Sequence, residues 1–462
     1  MEYHEFLKNK QKQIEPSGFE IKKEEINNNL FEWQKEIVKW ALKKGRFALF
    51  EDCGLGKTIQ QLAWADEVCK KTKGNVLILA PLAVSNQTKI EGEKFGISVN
   101  ICESQEDVKN GINITNYEKL DKFDCNTFIG VVLDESSILK SYTGKTKTKI
   151  VKAFKNTKYK LACTATPAPN DLMELLNHAE FLGIMKSSEA LACWFIADQR
   201  QSGKYRLKGH AENDFWKWVS GWAVCIEKPS DVGFSDDGYI LPKLNEVNRR
   251  LITEKQNDSL DYVTSKIDMS ATGFHREKKK TIDIRVAECV KIANEVDGQV
   301  IIWCFQNEES TKLKKLLPDS VEISGSDTAD KKIKAVDDFI KGNVKILISK
   351  PSIFGYGLNF QNCNTSIFCG LDYSFEGYYQ AVRRIYRFGQ KKEVNIYRVY
   401  GDTEEHILNT IQKKADLKEE MNVSMSKQMK ENQTNEIKGK QFILNLKTTK
   451  IEYPNWLRSE IA

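Results

Sequence analysis

Apolar positions along the first third of the chain alternate between two spacings. Trp33, Ile37, Trp40 and Ala41 recur at helical intervals, and Gly45 stands where a helix end favours glycine. A helix over 30–44 is therefore predicted. The short apolar run Phe47–Phe50 follows, then a glycine-rich turn, then a helical stretch from Lys57 to about Lys70. That is the strand, loop, helix order of a phosphate-binding loop. Further runs at Val76–Ala80, Ile112–Thr115, Ile129–Leu133 and Tyr159–Cys163 are short and separated by polar or helical segments, as buried strands of a parallel sheet are.

The same texture returns after residue 280. Apolar runs at Val300–Cys304, Val344–Ser349, Ser366–Cys369 and Val394–Val399 alternate with helical patterns at 308–317, 328–341, 376–387 and 403–418. Two α/β units are expected, over 28–185 and 281–424, after an N-terminal extension of 1–27. The stretch 186–280 is aromatic and basic, with Trp194, Trp216, Trp218 and Trp222 ahead of turn-rich 229–238. It reads as the end of the first unit plus a bridging insertion, its tryptophans packing a subdomain rather than stacking bases. From 425 the tail has little periodicity before Phe442–Leu446, which suits partial disorder.

Composition narrows the class. A chain of 462 residues, 40% hydrophobic, is long enough for two domains with appendages. No apolar run reaches the ~18 residues of a membrane span, and the charged start MEYHEFLKNKQKQ is unlike a signal peptide, so a cytoplasmic protein is expected. The 11 cysteines are scattered without a C-x-x-C pair or a cysteine–histidine cluster and read as reduced thiols. His178, His210 and His275 also lack ligand spacing. Net charge is only +6, but 70 basic residues leave room for a groove that tracks phosphates.

Two stretches carry chemistry. In Glu51-Asp52-Cys53-Gly54-Leu55-Gly56-Lys57-Thr58, the glycines let backbone N–H groups wrap phosphate oxygens, Lys57 neutralises charge and the Thr58 hydroxyl holds Mg²⁺. Glu51 stands where the strict pattern wants glycine. The apolar strand Val131–Leu133 then delivers Asp134 for Mg²⁺ and Glu135 to activate water. Helical spacing also puts Arg384 and Arg387 on nearly one face, where both can reach a γ-phosphate, although a solvated basic helix has the same pattern.

With these residues in order, the chain resembles a superfamily 2 helicase over most of 28–420, and within that group the Swi/Snf-type DNA translocases. The resemblance implies an α/β fold of two RecA-like parallel-sheet P-loop NTPase domains, with the ATP site in the interdomain cleft. Leu30-Phe31-Glu32-Trp33-Gln34 is similar to the motif that reads adenine through its glutamine, and the family's acidic pair before the glycines accounts for Glu51 and Asp52. Leu79-Ala80-Pro81-Leu82 and Thr115-Asn116-Tyr117 resemble motifs that touch the nucleic-acid backbone, here through Pro81, Thr115 and Tyr117. Thr164-Ala165-Thr166-Pro167 resembles the motif that couples ATP state to domain movement.

In the second unit, Gly355-Tyr356-Gly357-Leu358-Asn359-Phe360 resembles the family's glycine-leucine-asparagine motif, with Gly357 near nucleotide and Asn359 near nucleic acid. Gln380–Gln390 resembles the family's last motif, which implies nucleotide contact by Gln380 and catalytic roles for Arg384 and Arg387. The chain departs from the family at Ser136-Ser137, where a small residue and histidine are usual, at Arg383 for aspartate and at Tyr386 for histidine. The resemblance implies an ATP- and Mg²⁺-dependent motor on nucleic acid, duplex DNA favoured over single strands or RNA, with protein partners open. A strand-separating or annealing helicase and an ATP-gated binding subunit are the competing expectations.

Overall fold

The structure is a computed structural model that describes residues 17–81, 84–198, 204–252, 278–354 and 359–437. The first unit begins with α1 (Glu32–Lys44), β1 (Arg46–Glu51), α2 (Lys57–Thr72), β2 (Asn75–Ala80), α3 (Ser85–Lys94), β3 (Val99–Ile101), β4 (Ile112–Asn116) and β5 (Phe128–Asp134). It continues with α4 (Lys145–Ala153), β6 (Tyr159–Thr164), α5 (Glu174–Leu182), α6 (Ser187–Trp194), β7 (Phe195–Ala197), β8 (Tyr205–Leu207), α7 (Glu212–Ser220) and β9 (Ala223–Ile226). Seven strands form one parallel sheet in the order β3-β4-β2-β5-β6-β1-β9, with β7 and β8 a separate hairpin. Its central strands are buried end to end because helices cover both faces, which is why they read as unbroken apolar runs. Gly45 ends α1 in the left-handed region at φ 74°, its N–H bonded to the Ala41 carbonyl.

The second unit holds β10 (Leu244–Leu251), α8 (Ile282–Glu295), β11 (Val300–Cys304), α9 (Asn307–Leu316), β12 (Val321–Glu322) and α10 (Ala329–Ile340). Then come β13 (Ile346–Ser349), α11 (Pro351–Phe354), β14 (Thr365–Cys369), α12 (Phe375–Ile385), β15 (Val394–Gly401) and α13 (Glu405–Ile437). Its sheet is also parallel, in the order β10-β15-β14-β11-β13-β12. Among the described residues no helix is long and apolar enough to cross a membrane.

The stretch 186–280 is divided between the sheets: β9 extends the first and β10 edges the second. Trp194, Trp216, Trp218 and Trp222 are buried in the first unit's core, with the Trp194 and Trp218 rings stacked at 4.3 Å. Helix α13 continues past 425 to Ile437, through a stretch with little periodicity in the sequence, while Phe442–Leu446 lies outside the described residues. Ile407 and Ile411 pack in the second unit's core, whereas Met421 and Met425, one turn apart, are buried in the first unit's. One helix thus grips both units.

Replacing Met421 and Met425 with alanine should cost on the order of 2–5 kcal/mol per truncation. A lower thermal midpoint and faster amide exchange through α7 and the second half of α13 are expected. Unaltered exchange in both segments would mean that this helix does not hold the units together.

Candidate active site between the two units

Parallel packing brings distant motifs to one edge. Strand β6 lies between β5 and β1, its register pairing Cys163 with Asp134 and Thr164 with Phe50. The carboxyl ends of three neighbouring strands therefore present Glu51–Thr58, Asp134–Glu135 and Thr164–Thr166 together, where open α/β sheets hold ligands. Gly54 and Gly56 take φ values of 91° and 80°, and a Cβ on Gly56 would lie 2.5 Å from Gln34 Nε2. Lys57 opens α2, its Nζ donating to the carbonyls of Glu51 at 2.8 Å and Asp52 at 3.1 Å. Leu55 is buried and Thr58 half-buried in the first turn of α2. Gln34, expected at adenine, donates from Nε2 to the Leu55 carbonyl at 2.8 Å and accepts from the Phe31 N–H, so it braces the loop against α1.

The acidic groups are held out of water. Burial, then the neighbouring Glu135 charge, pushes Asp134 up to about 7 against the pull of Lys57. Glu135 is raised by burial and by Glu376, against Lys57 and Arg384. Glu135 also has left-handed backbone, φ 53° and ψ 56°, a conformation that costs a non-glycine residue about 1–2 kcal/mol. Thr164 Oγ1 donates to Glu135 Oε2 at 3.4 Å and accepts from the Thr166 N–H at 3.1 Å. Ala165, between them, is buried. Thr58 and Asp134 offer oxygen donors beside a carboxyl pair short of positive charge, a set that fits a hard divalent cation carried with phosphates.

Two residues expected to touch nucleic acid are buried. Thr115 is 2% exposed within β4, and Tyr117 is 7% exposed with its hydroxyl donating to the Asp134 carbonyl at 2.7 Å. Thr115 is covered because β4 is an interior strand of the sheet, and Tyr117 follows directly after it with its hydroxyl tied to the end of β5. Pro81 is partly exposed and Asn359 exposed, while Gly357 lies outside the described residues.

The second unit faces these groups through α12. Arg384, 6% exposed on that helix, is close enough to hold down the Glu135 carboxyl. Helical spacing had put Arg387 on the same helix, but α12 ends at Ile385. Gln390 Nε2 donates to the Ile385 and Cys363 carbonyls, and Gly389 turns the chain at φ 89°. Arg387 reaches the site from this turn; a Cβ on Gly54 would sit 3.5 Å from its own Cβ. Gln380 is buried on α12, its Nε2 without a hydrogen bond.

Sequence reading missed Glu376. Its carboxylate accepts from the Ser137 hydroxyl, from Lys140 Nζ at 2.8 Å and from Thr166 Oγ1 at 3.5 Å, tying α12 to the turn after Glu135 and to the end of β6. Ser137 itself was the available signal, because its departure from histidine asks for a different partner. Ser136 is paired with His178 Nε2 at 3.1 Å, and burial lowers that imidazole to about 4, so it stays neutral.

Glu51 gives a pH test. Burial lifts it from its ordinary 4.5 to about 7, opposed by Lys57 and by Gln60. Its contribution is thus intact below 4.5 and is lost as pH rises to about 7. Glu51→Gln should raise the thermal midpoint above pH 7, by on the order of 2 kcal/mol in stability, and little near pH 4.5. An equal effect at both pH values would put Glu51 in a wetter place.

Residues 33–208 match the family model described as SNF2-related domain, and 278–389 match the helicase conserved C-terminal domain. A Bacillus subtilis (strain 168) protein named as an uncharacterized ATP-dependent helicase, YqhH, is 24% identical over 84% of this chain and 78% of its own length. The chromatin structure-remodeling complex subunit snf21 of Schizosaccharomyces pombe is 22% identical over 85% of this chain, which spans only 39% of that relative. A solved Sulfolobus solfataricus SWI2/SNF2 ATPase core in complex with dsDNA is 19% identical, covering 87% of this chain and 94% of its own at a TM-score of 0.42. The two family models take in more than half of the chain and meet at the site just described, and the chain belongs to the SNF2-related, Swi/Snf-type ATPases of helicase superfamily 2.

Proposed function

We propose that the chain is an ATP-driven motor that moves along duplex DNA and uses Mg²⁺-ATP. The observation that carries the reading is the meeting of Lys57, Asp134 and Glu135 from one unit with Arg384 and Arg387 from the other in one cleft. The backbone amides of Gly54–Thr58 and the Lys57 ammonium hold the phosphates. Thr58 and Asp134 would hold Mg²⁺, which would supply positive charge to the phosphates.

Glu135 accepts the proton of the attacking water; a carboxyl held above its ordinary range is the stronger base for that task. Arg384 and Arg387 stabilise charge on the transferring phosphoryl group, so turnover requires a closed cleft. Thr164 and Thr166 pass the state of Glu135 to Glu376 and hence to α12. Gln34 and Gln380 complete the nucleotide contacts, and Pro81 and Asn359 serve a backbone-directed grip on DNA. We place its action in the cytoplasm.

ATP turnover measured without polymer and with duplex DNA, single-stranded DNA or RNA tests the track. Duplex should stimulate most; preference for single strands or RNA would favour a strand-separating or annealing helicase, and no turnover under any condition an ATP-gated binding subunit. Glu135→Gln should bind nucleotide normally while kcat falls ~10²–10⁴-fold. Arg387→Ala should spare nucleotide binding and slow turnover ~10³-fold or more. Wild-type rates in either variant would remove that residue from the chemistry.

A further inference from the structure

Arg383 immediately precedes the two predicted catalytic arginines in sequence and is absent from the chemistry above, yet its side chain is nearly buried. Its Nη2 forms an ion pair with Asp52 Oδ2, the side chains being 11% and 5% exposed. Asp52 belongs to the phosphate loop: its carboxylate also accepts from the Cys53 N–H at 2.8 Å, and its carbonyl accepts from Lys57. One turn before Arg383 on α12, the Tyr379 hydroxyl donates to the other Asp52 oxygen. The Arg383 guanidinium lies 5.7 Å from the Tyr379 ring centre and 5.5 Å from that of Tyr386, so aromatic faces enclose it.

A third element closes the cluster. Lys418 of α13 lies 2.7 Å from the Tyr379 hydroxyl, 3.8 Å from Asp52 Oδ1 and 3.3 Å from Glu227 Oε1. Two acids face two bases here, and the two units share them. An aspartate at 383 would set a second carboxylate against Asp52; an arginine turns the same contact into an attraction.

We propose that Arg383 is a positioning residue, whose ion pair with Asp52 docks α12 on the phosphate loop and thereby aims Arg384 at Glu135 and Arg387 at Gly54. The pair acts through its neighbours and need not touch nucleotide. Charge removed from either end frees α12 to rotate, which slows the step that needs both arginines more than it weakens ATP binding.

The test is a charge exchange in the full chain, resting on the ATPase reading above. Arg383→Asp and Asp52→Arg should each lower kcat ~10²-fold or more with a much smaller change in KM for ATP, and the double exchange should recover at least about tenfold of that loss. Arg383→Lys should retain most activity and Arg383→Met should not; this pair of variants decides the matter if the charge reversals do not fold. A kcat for Arg383→Met close to wild type, or an exchange no better than the worse single variant, overturns the proposal. Amide exchange of 52–58 and 379–385 without nucleotide supplies a readout independent of hydrolysis. It should quicken in Arg383→Met and not in Arg383→Lys. No quickening overturns the latch, whereas quickening in a chain that hydrolyses no ATP sinks the ATPase reading alone.

Discussion

One ammonium group organises the site. Lys57 pulls down the proton affinities of Glu51, Asp134 and Glu135, three carboxyls that burial drives the other way. Three acids around one base cannot all ionise cheaply in a low-dielectric place, and raised affinities are the result. Parallel strands create the crowding, because β1, β6 and β5 end side by side. The same crowding makes the place receptive to a divalent cation and phosphates, which bring charge of the missing kind on one side and a ligand for Lys57 on the other.

Closure depends on a second set of contacts, most of them polar, that join the two units. Glu376 joins α12 to Ser137, Lys140 and Thr166, and α13 lays methionines into the first core while isoleucines hold its start in the second. Lys414 bridges as well, donating to Asn170 Oδ1 and the Tyr373 carbonyl at 2.9 Å. Most of these bonds are polar, so they can be broken and remade at modest cost, whereas a wholly apolar interface would fix the units. That suits the opening and closing of the cleft that the proposed motor cycle requires.

What the sequence made legible follows from burial. Central strands covered on both faces leave continuous apolar runs, so β1, β2, β4, β5 and β6 could be located to within a residue or two. Edge strands such as β10, largely polar and partly exposed, carry no such mark. The second half of α13 was illegible because its buried face is built from methionines and Asn422 among lysines and glutamines, too sparse to show a period. Motif spacing placed Lys57, Asp134, Glu135, Arg384 and Arg387 near one another, but it could not tell that Thr115 and Tyr117 are buried, or that Arg387 has left its helix. Those facts depend on which strand lies inside the sheet and on the Gln390 side chain that caps α12.

Strain and charge at Glu135 point the same way. Its backbone sits in a region disfavoured for a side-chain-bearing residue, and its carboxyl faces Glu376 from the opposite unit. Opening the cleft withdraws Glu376 and Arg384 together, one a raising and the other a lowering influence on that carboxyl. Closing it restores both, along with the Thr164 hydrogen bond chain that ends on Glu376. The Glu135 carboxyl therefore meets its full electrostatic setting only when the second unit is docked, and in its proposed role as base this would tie hydrolysis to closure through the side chains that join the units.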